Sequence, residues 1–420
     1  MRFPTESALT DLSLDKFGHR TLATSLVNNV FLEMELPNTF GIYGNWGTGK
    51  STFLRAIQEE FANNPNAKDI LAIRFDPWKY EYTDHIDLFT ALICDFRDQA
   101  KVPKTSAVWK DLTSAMLGIS TSIFKKLLHK ASAGMLDLDD MRTEADLAAT
   151  AFPEDQFEQA DLVQQLREKL DSLIQAALTE NTKKRVCIFI DDLDRCSPEH
   201  TVTLLEAIKN FLLTSKVLFV FALDRRIVSE MIEKKYGLHS SYGDEYLTKI
   251  IQYSVTLPAP SHKEILIDIF ADHLIEVPER TRGWIIEFTN RFAPETRKFK
   301  HLIYQLITQA KLANIDLSKD AEIDTASLFC AIYMKFRFPR LFHTNRRTAL
   351  ENLGLYGRMV SAQNDKHQGD AADLANQLGI SGSDKKILMD LFVYQLPNGK
   401  GLMNENRDKL QQAGFLRMLD

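Results

Sequence analysis

The chain has 420 residues, room for two or three domains, and a hydrophobic fraction of 45% with a charged fraction of 26%, as in ordinary globular proteins. A net charge of -6 gives no global case for a nucleic-acid binder. The four cysteines (Cys94, Cys187, Cys196, Cys330) form no CxxC pair, which argues against a zinc site or a disulfide framework and suits a reducing cytoplasm.

The opening MRFPTESALTDLSLDKFGHR has no apolar signal core, and no segment reaches the roughly 20 uncharged apolar residues that span a bilayer. A cytoplasmic protein is expected, with peripheral contact at the inner membrane face left open. Residues 5–36 read as a helical lead-in, with Leu22, Leu26, Val30 and Met34 at helical spacing. TFGIYG (39–44) is a short apolar run ending in glycine, a buried strand by its pattern. STFLRAIQEEFANN (51–64) gathers Phe53, Leu54, Ile57 and Phe61 on one helical face. ILAIRFDPW (70–78) is a second strand stopped by Pro77, and 85–100 a helix. KRVCIFIDDLD (184–194) is a buried strand that ends in acids. Pro198 opens the next helix, as a first-turn proline should. VLFVFALDRR (217–226) and QYSVTLP (252–258) supply two further strands. Apolar strands alternating with helices predict a parallel sheet covered on both faces. From about residue 262 the pattern is almost wholly helical.

The interval 101–184 separates two strands by far more than one crossover helix needs, and is read as an insertion. Its first half is basic and 137–171 is acidic. SAMLGISTSIFKKLLHKASAGML (114–136) reads as an amphipathic helix that packs on the core, on a partner helix or on an anionic membrane. DLDDMRTEADLAATAFPEDQFEQAD (137–161) reads as a solvated excursion. SAQNDKHQGDAADL (361–374) reads as a linker or exposed loop.

Gly44, Asn45, Trp46, Gly47, Thr48, Gly49, Lys50 and Ser51 spell G-x-x-x-x-G-K-[ST]. The glycines let the backbone wrap phosphates with its N–H groups turned inward. Lys50 reaches the β- and γ-phosphates of ATP, the Ser51 hydroxyl binds Mg²⁺, and Thr52 continues the loop into a helix whose N-terminus favours anions. A random chain of this length matches the pattern on the order of one time in a hundred, so the strand before and helix after decide. A second site lies in VCIFIDDLDRC (186–196). Asp191 is expected to hold Mg²⁺ through water, and Asp192 to orient or deprotonate the attacking water. The alternative is a strand end with solvated acids. A third lies in FALDRR (221–226), where Asp224 either senses the γ-phosphate or caps the next helix.

Together these segments resemble the KAP family of P-loop NTPases. The carrying stretches are GNWGTGKST, FDPWKYE (75–81), IDDLDRC (190–196), YLTKIIQYSVTLP (246–258), PETRKFKHLIYQL (294–306) and YMKFRFPRLF (333–342). The resemblance covers roughly residues 10–345. It implies an α/β P-loop core with strand order 5-1-4-3-2, a helical insertion between the two Walker motifs and a C-terminal all-α domain. The implied division is 1–100 and 185–260 for the core, 101–184 for the insertion, 261–350 for a helical lid and 351–420 for an extension. By motif position Arg297 becomes the lid arginine at the γ-phosphate, with a solvated helix face as the alternative. Arg195 becomes an arginine acting on a neighbouring subunit, with a local ion pair to Asp194 or Glu199 as the alternative. Asp15, Phe17 and Arg20 fall where such proteins place the adenine. Many relatives carry transmembrane helices in the 101–184 interval, and here Lys125, Lys126, His129 and Lys130 interrupt it. Trp78, Lys79 and Glu81 read either as a nucleotide-state switch or as a cap on the core.

The resulting expectation is a Mg²⁺-dependent ATPase, a motor or switch in a bacterial partner complex, in a setting of phage or mobile-element defence. A nucleotide-dependent scaffold with negligible turnover is the alternative. A phosphotransferase using Asp76 is disfavoured by the large helical domain. The arginine–aromatic mixture FRFPRLFHTNRR (336–347) suits nucleic acid or, more simply, a solvated helix end.

Overall fold

A computed structural model describes residues 18–83, 87–118, 153–212, 216–237, 242–272, 275–293, 295–312, 316–318 and 322–338, with residues 384, 386, 387 and 390. Asp15, Phe17, most of the 114–136 segment, the 361–374 stretch and most of 336–347 and 351–420 lie outside the described residues. Compact units divide between Ala259 and Pro260.

The first unit is built on five parallel strands: β1 (Asn38–Tyr43), β2 (Ile70–Phe75), β3 (Arg185–Ile190), β4 (Val217–Leu223) and β5 (Tyr253–Thr256). Their order is β2-β3-β4-β1-β5, so β4 stands between the strands that carry the two phosphate-site motifs. The side-chain period of two divides the apolar strands between faces. Ile188, Ile190, Phe219 and Phe221 enter one core, and Phe40, Ile42, Phe189 and Val220 enter the other. The central strands are buried on both faces, which explains their unbroken apolar runs. The edge strands differ: β2 is half-buried and β5 mostly exposed.

Helices α1 (His19–Leu26) and α2 (Lys50–Asn63) cover one face through Ala23, Leu26, Phe53, Leu54 and Ile57. The other face carries α3 (Leu88–Gln99), α4 (Ala107–Gly118), α5 (Pro153–Glu180), α6 (Pro198–Ala207), α7 (Arg225–Tyr236) and α8 (Tyr242–Ile250). Fully burying one such Leu or Phe contributes about 1.5–3 kcal/mol. Asp87 caps α3 by accepting the Thr90 N–H at 2.9 Å. Ser197 caps α6, and Pro198 follows at the first helical position.

Residues 153–161, read as part of a solvated excursion, begin the long helix α5. The described ends of the insertion are also core: Trp109 and Leu112 of α4 and Leu166, Leu170 and Ile174 of α5 are buried in the cluster that covers β3 and β4.

The second unit is helical: α9 (His262–Asp272), α10 (Glu279–Phe292), α11 (Thr296–Leu312) and α12 (Glu322–Arg337). Trp284, Phe288, Phe292, Phe329 and Tyr333 form its aromatic centre. The Tyr333 hydroxyl donates to the Phe292 carbonyl at 2.9 Å, giving the buried polar atom a partner. No helix among the described residues is long and apolar enough to cross a membrane.

Candidate phosphate and acid site

The strand–loop–helix context that the motif demands is present. β1 ends at Tyr43, the loop follows, and α2 starts at Lys50. Gly47 and Gly49 have φ of 86° and 90°, a region that disfavours side chains. A Cβ on Gly49 would meet His19 Cε1 at 2.5 Å, and one on Gly44 would meet Thr48 Oγ1 at 2.5 Å. A side chain at Gly49 or Gly44 would therefore force His19 or Thr48 to move, and at Gly47 and Gly49 the backbone itself favours glycine. Thr48 Oγ1 donates to the Asn45 carbonyl at 2.9 Å and steadies the turn. Lys50 is buried, and its Nζ donates to the carbonyls of Gly44 at 2.8 Å and Asn45 at 3.3 Å. Ser51 and Thr52 stand in the first turn of α2, with Thr52 buried.

The acids lie past β3, one strand removed. Asp191 is 1% exposed. Its Oδ2 accepts from Arg74 Nη2 at 2.7 Å and its Oδ1 from the Asp192 N–H at 3.0 Å. Both oxygens are held, so the carboxylate has a fixed orientation. Ser51 and Asp191 supply hard oxygen donors of the kind Mg²⁺ prefers, and a carboxylate already engaged at both oxygens suits contact through water. Asp192 adopts φ 56°, uncommon for a non-glycine residue and better tolerated by Asp than by most. Burial first and the Asp191 charge second push its carboxyl up to about 6, with Asp76 and Asp194 adding and Arg195 opposing. Arg195 Nη2 lies 2.9 Å from Asp192 Oδ1. Arg195 thus makes a local ion pair, of the kind the sequence offered as the alternative, with Asp192 as its partner.

Asp224 is 4% exposed and closes β4. Its Oδ1 accepts from the N–H groups of Arg226 at 3.1 Å and Ile227 at 3.4 Å, so it caps α7. Beside the phosphate loop opens a cleft of about 540 Å³ lined by Tyr43, Gly44, Asn45, Asp224, Arg225 and Thr256 among others. Arg20 is exposed at the start of α1. Arg297 is exposed near the start of α11 in the second unit.

The aromatic segment after β2 is tied to the turn past β3. Glu81 accepts from the Ser197 N–H at 2.8 Å, and its other oxygen pairs with His200 Nδ1 at 3.1 Å. Burial raises the Glu81 carboxyl, yet these hydrogen bonds together hold it below the usual range. Trp78 packs edge-on against Tyr82 with ring centroids 5.3 Å apart, and Tyr80 stacks on Phe75.

Two residues here escaped sequence reasoning. Arg74 is a lone cation inside the apolar run ILAIRF, which was a visible signal. Asp194 was read as a flank of the acid pair and a candidate partner of Arg195, though it is 3% exposed and lies 3.8 Å from Lys50 Nζ.

Fold and site together define a P-loop nucleotide-binding protein with an additional strand between the two motif-bearing strands. Residues 20–308 match the model of the KAP family P-loop domain, and the chain belongs to that family. It is similar to the phage T7 exclusion protein of Escherichia coli (strain K12), 23% identical over 278 residues, which are 61% of this chain and 35% of that protein. The chain thus spans about a third of that relative's length. Among solved structures it is similar to the Aeropyrum pernix ORC2 protein in ADPNP–ADP complexes, at 12% identity and TM-score 0.38 over 98% of this chain and 95% of that one. It is also similar to a variant of Thermotoga maritima RuvB, at 11% identity and TM-score 0.34 over 97% of this chain and 98% of that one.

Proposed function

We propose that this protein binds ATP with Mg²⁺ and hydrolyses it, and that the cycle drives a motor or switch acting on protein partners or on further copies of the chain. The observation that carries the reading is the glycine-favouring loop leading into Lys50, set one strand away from the Asp191–Asp192 pair.

In this reading the loop N–H groups and Lys50 bind the phosphate chain. Ser51 and Asp191 hold Mg²⁺, which supplies charge neutralisation at the β- and γ-phosphates. Asp192 orients water for in-line attack and accepts its proton, a task suited to a carboxyl whose pKa lies near 6. Asp224 stands at the end of the intervening strand, where a sensor of the γ-phosphate belongs. Arg297 serves as the lid arginine. Arg195 is held by Asp192 and is released to a neighbouring subunit's nucleotide when subunits associate.

A role in excluding phage follows from kinship with the phage T7 exclusion protein, and is proposed on that basis alone. The scaffold reading keeps one observation of its own. Asp191 is paired with Arg74 and Asp192 with Arg195, an arrangement that suits nucleotide binding without turnover.

The test is equilibrium dialysis with ATP and Mg²⁺ alongside steady-state hydrolysis. Wild type binds ATP, and Lys50→Ala loses binding by at least about tenfold. Wild-type binding without turnover, with or without added partner, leaves the scaffold. Equal ATP binding by wild type and Lys50→Ala contradicts the proposal.

A further inference from the structure

Asp194 sits on the short turn Leu193–Arg195 and is buried at 3% exposure. One of its oxygens, Oδ2, gathers three groups from three parts of the site. The Asp224 N–H, at the end of β4, donates to it at 2.8 Å. Trp46 Nε1, at the tip of the phosphate loop, donates at 3.3 Å. Lys50 Nζ lies 3.8 Å away.

A buried carboxylate needs a cation or several donors to offset lost hydration. Lys50 is the cation within reach here. A bound triphosphate competes for that same ammonium with several negative charges against one. Once Lys50 turns to phosphate, Asp194 depends more heavily on its two neutral donors. The Asp224 N–H is already at a short distance. The Trp46 bond is at the long end of the range and has room to tighten. Trp46 is 42% exposed, so part of the indole faces solvent.

We propose that Asp194 is a positioning residue that couples phosphate occupancy to Trp46. It holds Lys50 when no phosphate chain competes for it, yields Lys50 to the nucleotide, and draws the Trp46 indole inward as it does so. The same oxygen carries the change to the first turn of α7 through Asp224. This inference rests on the nucleotide-binding reading above.

The test follows tryptophan emission during titration with Mg²⁺ and a non-hydrolysable ATP analogue, with binding measured separately by equilibrium dialysis. The difference between wild type and Trp46→Phe isolates the Trp46 component. In wild type that component shifts on binding. In Asp194→Asn, dialysis still shows the analogue bound and the Trp46 shift is lost. Lys50→Ala supplies an independent arm that does not depend on how Asp194→Asn folds. Its Trp46 emission without nucleotide resembles the wild type's nucleotide-bound emission, because Asp194 has lost its cation in both. An unchanged Trp46 shift in Asp194→Asn overturns the coupling. So does Lys50→Ala emission that matches ligand-free wild type. Absence of analogue binding to wild type overturns the nucleotide reading itself, and dialysis reports that separately.

Discussion

Asp192 combines a left-handed backbone with a carboxyl pushed up to about 6. A folded-state value above the ordinary carboxylate value means that ionising Asp192 costs the fold stability. That loss grows as pH rises from about 4 to about 6, and amounts to roughly 1–3 kcal/mol when complete, since solvent screening reduces the full conversion. Asp192→Asn removes the charge, and Asn also tolerates the left-handed region. Asp192→Asn is therefore expected to melt higher than wild type at pH 8 while losing turnover, with the melting gap closing toward about pH 4. Thermal melts across pH check this, and a gap that does not depend on pH counts against it. At Gly49, both φ and the approach of His19 disfavour a side chain. Gly49→Ala is expected to lower stability by about 1–3 kcal/mol and to abolish ATP binding, read by melts and dialysis. The glycines and Lys50 were legible in the sequence because their spacing is a physical requirement of phosphate binding. Asp194 and Arg74 were not, because their importance lies in neighbours that only the folded sheet supplies.

Among elements, all five strands were legible, four as apolar runs with a clear stop and β5 as a short segment closed by Pro258. The edge positions of β2 and β5 came from the family's strand order and not from composition: β2 is as apolar as the central strands, yet it is half-buried. Gln99 of α3 completes the β2 edge by accepting the Arg74 N–H at 3.0 Å and donating to the Arg74 carbonyl at 2.7 Å. A pairing between residues so far apart in the chain leaves no local signature. Helix α5 was missed where acidic residues suggested solvation, and among its described residues Leu166, Leu170 and Ile174 enter the core. The Glu81 tie belongs at this scale, because it joins the segment after β2 to the start of α6. A carboxyl held below its usual range stabilises the fold in full above that range, and the contribution is lost as pH falls through it. Glu81→Gln is expected to destabilise by about 1–2 kcal/mol at pH 7, with the two proteins converging as pH falls toward about 4. Denaturant melts at both pH values decide, and a constant difference speaks against the tie. Arg74→Gln is expected to loosen Asp191 and raise the Mg²⁺ concentration needed for half-maximal nucleotide binding several-fold. Dialysis at graded Mg²⁺ checks it.

For the whole molecule, the family and the α/β core were legible together, because several separate stretches matched and not one motif. The two compact units meet in sequence at Ala259 and Pro260, close to the change from alternating to wholly helical pattern. How many copies act together has no signature in one chain. If Arg195 serves a neighbour, turnover per subunit depends on concentration. The most direct measurement is steady-state ATP hydrolysis with Mg²⁺ by wild type, Lys50→Ala and Asp192→Asn across protein concentration. The account predicts wild-type turnover that rises per subunit with concentration and falls by about 100-fold or more in both variants. Wild-type turnover that survives both substitutions would contradict it.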